Sequence, residues 1–243
     1  FDYIKRFQLH GPRLTLGHGT WLSEQDVADI AESGTCVCHN CSSNMRLRSG
    51  RAPLNLLEKH GVTTAIGIDE AGINEDRDML LEMKLVLNSH RDPGLEPTDV
   101  PGTGQVMRMA TVGGAATTPY RGRIGTLEVG MAADLSLIDY DAMTYPYQDP
   151  MVSLLDAFVY RAKSRHVATV ICDGEVIYAD GRFTRIDRDA VLAEIHERMA
   201  RPLTPAEEAR RGMSRKMEKP FRDFYESYPG WNSQKQRFEG EGW

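Results

Sequence analysis

The chain has 243 residues, 41% hydrophobic and 26% charged, an ordinary globular balance with room for one large domain or two small ones. A net charge of -6 argues against a broad nucleic-acid-binding face, and no apolar run approaches the length of a membrane helix. Cys36, Cys38 and Cys41 crowd together while Cys172 stands far off, a poor disulfide framework that points to a reducing, cytoplasmic compartment.

The sequence opens at Phe1 with neither a methionine nor a charged-then-apolar leader, so a preceding segment is expected. Residues 13–17 read as a short strand. Ser23, with Asp26 three residues on, opens a helix carrying Val27, Ile30 and Ala31 at helical spacing. Residues 35–38 form a second strand candidate. Residues 53–60 form a short helix with Leu54 and Leu57 on one face, stopped by Gly61. Residues 62–68, β-branched and apolar, form a third strand. A longer helix follows over about residues 76–89, with Met79, Leu80, Met83, Val86 and Leu87 in register. Repeated strand–helix units of this size imply a parallel sheet covered by helices, and near-continuous apolar strands fit burial on both faces.

The polar residues fall at the strand ends: His18 after the first strand, His39 and Asn40 after the second, Asp69 after the third. Barrels of the (β/α)8 type build their sites at the C-terminal ends of their strands, and doubly wound sheets do so at a switch point. No Gly-rich phosphate fingerprint or P-loop follows any strand, which weighs against the second architecture.

Residues 92–104 read as a loop and 105–111 as a short helix. From Arg121 the character changes. Residues 133–138 and 167–171 are strands, and Asp173-Gly174 turns the second into a hairpin with residues 175–178. Asp187 caps a helix carrying Val191, Leu192, Ile195 and Met199. Thr204-Pro205-Ala206-Glu207 is a full helix start, followed by a charged stretch and a polar tail to Trp243. The expected divisions are residues 1–118, 119–186 and 187–243.

Four ordered motifs carry a resemblance. GHGTWLSEQDVADIAESG (17–34) resembles the sixth strand and helix of the amidohydrolase superfamily, in the branch of guanine deaminase, S-adenosylhomocysteine/methylthioadenosine deaminase and the triazine hydrolases. HNCSSNMRLRSGRAP (39–53) resembles that branch's seventh-strand motif, and GIDEAGINEDRDMLLEMK (67–84) its eighth. GRIGTLEVGMAADLSLID (122–139) is similar to the segment returning to a small β domain. The resemblance implies an α/β chain: the C-terminal part of a metal-dependent TIM-type (β/α)8 barrel plus a small β-sandwich domain.

It further implies hydrolysis of C–N bonds in cyclic amidines such as purine, pterin or triazine rings. One divalent metal is expected, zinc best suited and iron or manganese the alternatives. Asp69 matches the metal-ligating and proton-transferring aspartate, and His18 the catalytic histidine that faces the substrate. His39, with Ser43 and Asn44, matches the strand-seven motif; His39 and Glu70 are the further candidate substrate contacts. Cys41 stands where the family commonly has proline and Glu70 where it has glycine. The family's strand-one H-x-H pair and strand-five histidine find no match, so the missing N-terminal half or a partner chain is expected to complete the site. A homo-oligomer is expected by analogy.

Blander readings stand beside these. An Asp at a strand end is often a turn or cap residue, and Glu70 reads equally as a solvated rim charge. His10, His60, His90 and His166 read as exposed. Cys36, Cys38, His39 and Cys41 alternate faces along a strand and read as small buried fillers rather than a zinc finger. Arg210, Arg211, Arg215, Lys216 and Lys219, interspersed with Glu207, Glu208 and Glu218, read as a solvated helix face. The alternatives to a deaminase are a ring dechlorinase-type hydrolase and a non-catalytic fragment or subunit.

Overall fold

A short helix, α1 (Asp2–Arg6), leads into β1 (Thr15–Gly17), α2 (Glu24–Ser33), β2 (Cys36–His39), α3 (Cys41–Leu47), α4 (Leu54–Lys59) and β3 (Thr64–Ile66) in the computed structural model, which describes residues 1–70, 73 and 77–227. The strands pair in parallel in the order β1-β2-β3, with Leu16 opposite Val37 and Val37 opposite Thr64. The intervening helices return the chain to the same end of the sheet each time, which is what parallel pairing requires. Ser23 starts α2 with the expected capping box: its hydroxyl accepts from Asp26 N, and the Asp26 carboxylate accepts from Ser23 N. Val27 and Ile30 then pack with Val37, Leu57 and Val62 in one buried cluster. Each such side chain contributes roughly 1.5–3 kcal/mol by leaving water.

Helix α3 is absent from the sequence reading. Its first turn, Cys41-Ser42-Ser43-Asn44, is polar and lacks a side-chain cap, so nothing in the pattern announces it, yet all four residues are buried. Helix α5 (Met79–Ser89) starts at Asp78, whose carboxylate accepts from Leu80 N and Leu81 N. The expected start near residue 76 and the tail beyond residue 227 lie outside the described residues. Met83, Val86 and Leu87 join Leu54, Ile66, Val106, Met109 and Val159 in a second cluster. The short helix expected after the loop is longer: α6 (Thr103–Arg108) runs on through a π-helical turn, Met109–Gly113, and a last turn, Gly114–Ala116. A Cβ on Gly113 would overlap the Thr64 carbonyl, so only glycine lets this turn lie against β3.

The small β unit is an antiparallel sheet. β4 (Leu135–Ile138) is followed by α7 (Tyr140–Thr144) and α8 (Leu154–Arg161), then β5 (Val167–Cys172), β6 (Glu175–Ala179) and β7 (Arg182–Phe183), in the order β4-β5-β6-β7. Asp173 and Gly174 both take positive φ at the expected β5–β6 turn. Helices α7 and α8, also unforeseen, bury Met143, Ala157 and Val159, and Thr103 Oγ1 donates to Asp156 Oδ1 at 2.5 Å to tie α6 to α8.

The residues from Asp187 on form a separate unit. Asp187 caps α9 (Arg188–Ala200) through Ala190 N, and Thr204 with Glu207 sets the start of α10 (Pro205–Ser227). Neither helix buries a residue, and the α10 charges pair along one face, as Lys219 does with Asp223. Among the described residues no helix is long and apolar enough to cross a membrane.

Candidate active site

The parallel sheet brings the ends of β1, β2 and β3 together, and with them three of the four candidate residues. His18 follows β1 and is fixed by its backbone N–H on the Cys38 carbonyl at 2.8 Å. Asp69 follows β3 at a separation of 3.5 Å from His18, Nε2 to Oδ2. Both adopt left-handed backbone, with φ of 67° and 61°, at positions where no glycine relieves the strain. Such conformations cost on the order of 1–3 kcal/mol and concentrate at functional sites. The side chains remain accessible, His18 at 39% and Asp69 at 26%, so a ligand can reach them. Glu70 is exposed immediately beside Asp69.

Helix α3 supplies the second layer. Ser43 Oγ donates to Asp69 Oδ2 at 2.6 Å, and Glu70 N donates to Asp69 Oδ1 at 2.8 Å. The Ser43 hydroxyl, then the Glu70 amide and the neighbouring His18, hold the Asp69 carboxyl below the usual carboxylate range against a smaller opposing effect of burial. Asn44 Oδ1 lies 2.8 Å from His18 Nδ1. With Nδ1–H donated to that oxygen, Nε2 is the nitrogen left facing Asp69. Cys38 points to the same region: burial, then the charge of Asp69, pushes its thiol up. A Cβ on Gly67 would overlap Asn40 Oδ1 and sit 2.8 Å from Cys38 Sγ, so the glycine leaves room for these two side chains below the site.

His39 is placed differently. Its ring is 1% exposed and its Nε2 lies 2.9 Å from Nε2 of His90, which is equally buried at the end of α5. Burial pushes both imidazoles down, for His90 with a further push from His39, so both rings are neutral at neutral pH. His90 and His166 were expected to be exposed and are buried. His90 closes α5 against the sheet, and His166 sits where the chain enters β5. His60 is half-buried and His10 exposed. The four-residue Cys/His run does not converge, as strand alternation demands: Cys36 accepts from Arg121 Nη2 while Cys38 faces Asn40 and Asp69. Cys41 and His39, however, meet with His90, and their ligand atoms all lie within 4.8 Å of one another. That triad joins residues 39 and 90, a separation no local motif reveals.

As a metal centre, the Asp69 carboxylate is oriented, ionised and accessible, which fits one ligand. Among the described residues no group of three His, Cys, Asp or Glu side chains within mutual reach includes it, and a catalytic zinc site takes at least three protein ligands.

Comparisons with known proteins bear on the family and the fold. The amidohydrolase family pattern matches residues 1–177. A 5-methylthioadenosine/S-adenosylhomocysteine deaminase of Nitratidesulfovibrio vulgaris is 37% identical over 195 residues, 80% of this chain and 43% of that protein. A 5'-deoxyadenosine deaminase of Methanosarcina mazei is 35% identical over 184 residues, 76% of this chain and 41% of that protein. Among solved structures, an adenosine deaminase from Xanthomonas campestris with bound zinc superposes with a TM-score of 0.73 at 30% identity, over 81% of this chain and 44% of that one. An atrazine chlorohydrolase from Arthrobacter aurescens TC1, complexed with zinc, gives a TM-score of 0.72 at 23% identity over 79% and 42%, a likeness of fold alone. The chain spans a little under half the length of the curated relatives it matches. With the strand-end site and the matched α/β fold in place, the chain belongs to the amidohydrolase family.

Proposed function

We propose that this chain is part of a metal-dependent aminohydrolase acting on C–N bonds of cyclic amidines, with 5'-substituted adenosines as the first substrate class and pterin- or triazine-like rings as alternatives. One observation carries the reading: His18 and Asp69 stand 3.5 Å apart at the ends of parallel strands, both in left-handed backbone, held by Asn44 and Ser43. The substrate class follows the relatives at 35% identity and above, which are named as deaminases of substituted adenosines. In this reading the three-stranded sheet is the last part of a (β/α)8 barrel and the four-stranded sheet belongs to a small β-sandwich domain.

A bound divalent ion, zinc first with iron or manganese as alternatives, lowers the pKa of its water to about 7 and so supplies hydroxide at neutral pH. Asp69 is the ligand this chain provides. Its carboxylate also accepts the proton of the attacking water and passes it to the departing nitrogen. His18, its Nδ1–H held by Asn44, presents Nε2 to the developing tetrahedral centre. Glu70 contacts substrate at the rim. His39, counted among the substrate contacts on sequence grounds, supports the site from behind by anchoring the end of β2 on His90. The other metal ligands come from chain outside these residues, an upstream segment or a partner. Assembly of several copies is expected by analogy.

Among the described residues no three-ligand group includes Asp69, and this favours a second reading, a subunit inactive by itself. The test is ammonia release from 5'-methylthioadenosine, adenosine and S-adenosylhomocysteine by the chain alone and by the chain co-expressed with an H-x-H-bearing upstream segment. Activity in the co-expressed form, reduced about 10²–10⁴-fold by His18→Ala, is expected. No ammonia from any of these or from aminopterin- and aminotriazine-type rings would sink the aminohydrolase assignment, and chloride release from a chlorotriazine would replace it with the dechlorinase alternative.

A further inference from the structure

We propose that His39, Cys41 and His90 form a second, buried three-ligand site for one thiophilic divalent cation of the zinc class, separate from Asp69. The three side chains are 1–2% exposed and come from three places in the fold: the end of β2, the start of α3 and the C-terminus of α5. Their ligand atoms lie within 4.8 Å of one another. Tetrahedral zinc holds nitrogen and sulfur ligands roughly 3.3–3.8 Å apart, so the widest separation in the triad needs to close by up to about an ångström, within side-chain motion. Two imidazoles and a thiolate are a ligand set that selects zinc over the hard cations.

The surroundings fit a cation. Both imidazoles are already in the neutral, ligating form. The Glu82 carboxylate, 1% exposed, lies beside Cys41 and accepts from Ser42 N at 2.9 Å. The positive charge of Arg51 near His90 is matched by Asp92, 2.5 Å from its guanidinium. The backbone is also preset: Asn55 Nδ2 donates to the His90 carbonyl at 3.0 Å, and Arg51 Nη1 to the Ser89 carbonyl at 3.2 Å. A histidine pair alone accounts for the 2.9 Å contact between the two Nε2 atoms but leaves His39 Nδ1 buried without a partner. Metal binding makes two nitrogen bonds and one sulfur bond, with His39 Nδ1 free to be one of the ligand atoms, and releases the Cys41 thiol proton to solvent. Ser43 and Asn44 face the Asp69 side while Cys41 and Ser42 face α5, so α3 stands between the two sites.

Cobalt titration of the purified chain, followed by visible absorption, tests this. The expected result is one equivalent bound with a thiolate-to-cobalt charge-transfer band, displaced by zinc. The band should be unchanged in Asp69→Asn and Cys38→Ser, lost in Cys41→Ser, and formed about tenfold or more weakly in His90→Gln. Circular dichroism establishes that each variant is folded, and His90→Gln serves if Cys41→Ser is not. No thiolate band in the folded wild-type chain means a hydrogen-bonded histidine pair only and overturns the proposal. So does a band lost in Cys38→Ser, or one of unaltered affinity in His90→Gln. None of these outcomes touches the role of Asp69.

Discussion

Acidification offers a sharp test of the His39–His90 pair in its metal-free state. Both rings are held below the ordinary histidine value of 6.5 by burial, to about 4 for His39 and about 3 for His90. The unfolded chain takes up protons at these residues as pH falls through 6.5, and the folded chain does not. Stability is therefore unaffected by the pair above 6.5 and declines below it, by about 1.4 kcal/mol per pH unit for each proton withheld. Between pH 6.5 and 4.5 that amounts to roughly 2–3 kcal/mol per histidine, and about 5 kcal/mol for the pair. The lowered carboxylates act in the same direction but later: Asp26 and Asp69 only near and below the ordinary aspartate value of 3.8, and Glu175 and Glu207 near and below the ordinary glutamate value of 4.5, at the lower edge of this window. Urea unfolding in chelator at pH 7.5, 6.5, 5.5 and 4.5 reads the slope. The double variant His39→Asn/His90→Asn should lose most of the decline in this range while being less stable at pH 7.5. An identical slope in wild type and double variant would refute the reasoning.

Three further perturbations bear on separate links. Leu57, fully buried among Val27, Ile30, Val37 and Val62, should cost about 2–5 kcal/mol when changed to Ala, read as a lower urea midpoint at constant slope; a loss under 1 kcal/mol would mean that this cluster is not packed as described. Gly113→Ala places a methyl group on the Thr64 carbonyl and should destabilise by about 1–3 kcal/mol, whereas Gly114→Ala, with room around it, should not. Ser43→Ala removes the hydroxyl on Asp69, so the Asp69 carboxyl should titrate higher by carbon-13 NMR, and metal affinity of the completed site should fall about 10–100-fold. An unmoved titration would show that Ser43 does not hold Asp69.

The strand–helix rhythm of the first ninety residues was legible because burial on both sheet faces leaves apolar runs with polar punctuation, and the strand ends then name His18 and Asp69. The capping boxes at Ser23 and Thr204 were legible for the same local reason. What stayed hidden was decided by tertiary contact. Helix α3 is polar in its buried turn because those side chains serve a site on one side and α5 on the other, a pattern that mimics a loop. His90 looks like a solvated helix end until His39, 51 positions away, is brought against it. Ser43 and Asn44 could be flagged from the motif, but their separate bonds to Asp69 and His18 needed the fold.

The central proposal is that Asp69 ligates a catalytic metal whose other ligands lie outside the described residues. Elemental analysis of metal equivalents, on the chain alone and on the chain purified with an H-x-H-bearing segment, tests it most directly. The account predicts one equivalent more of zinc, iron or manganese in the complex than in the chain alone, with that increment abolished by Asp69→Asn. A complex that carries no more metal than the chain, or an increment that survives Asp69→Asn, would contradict it.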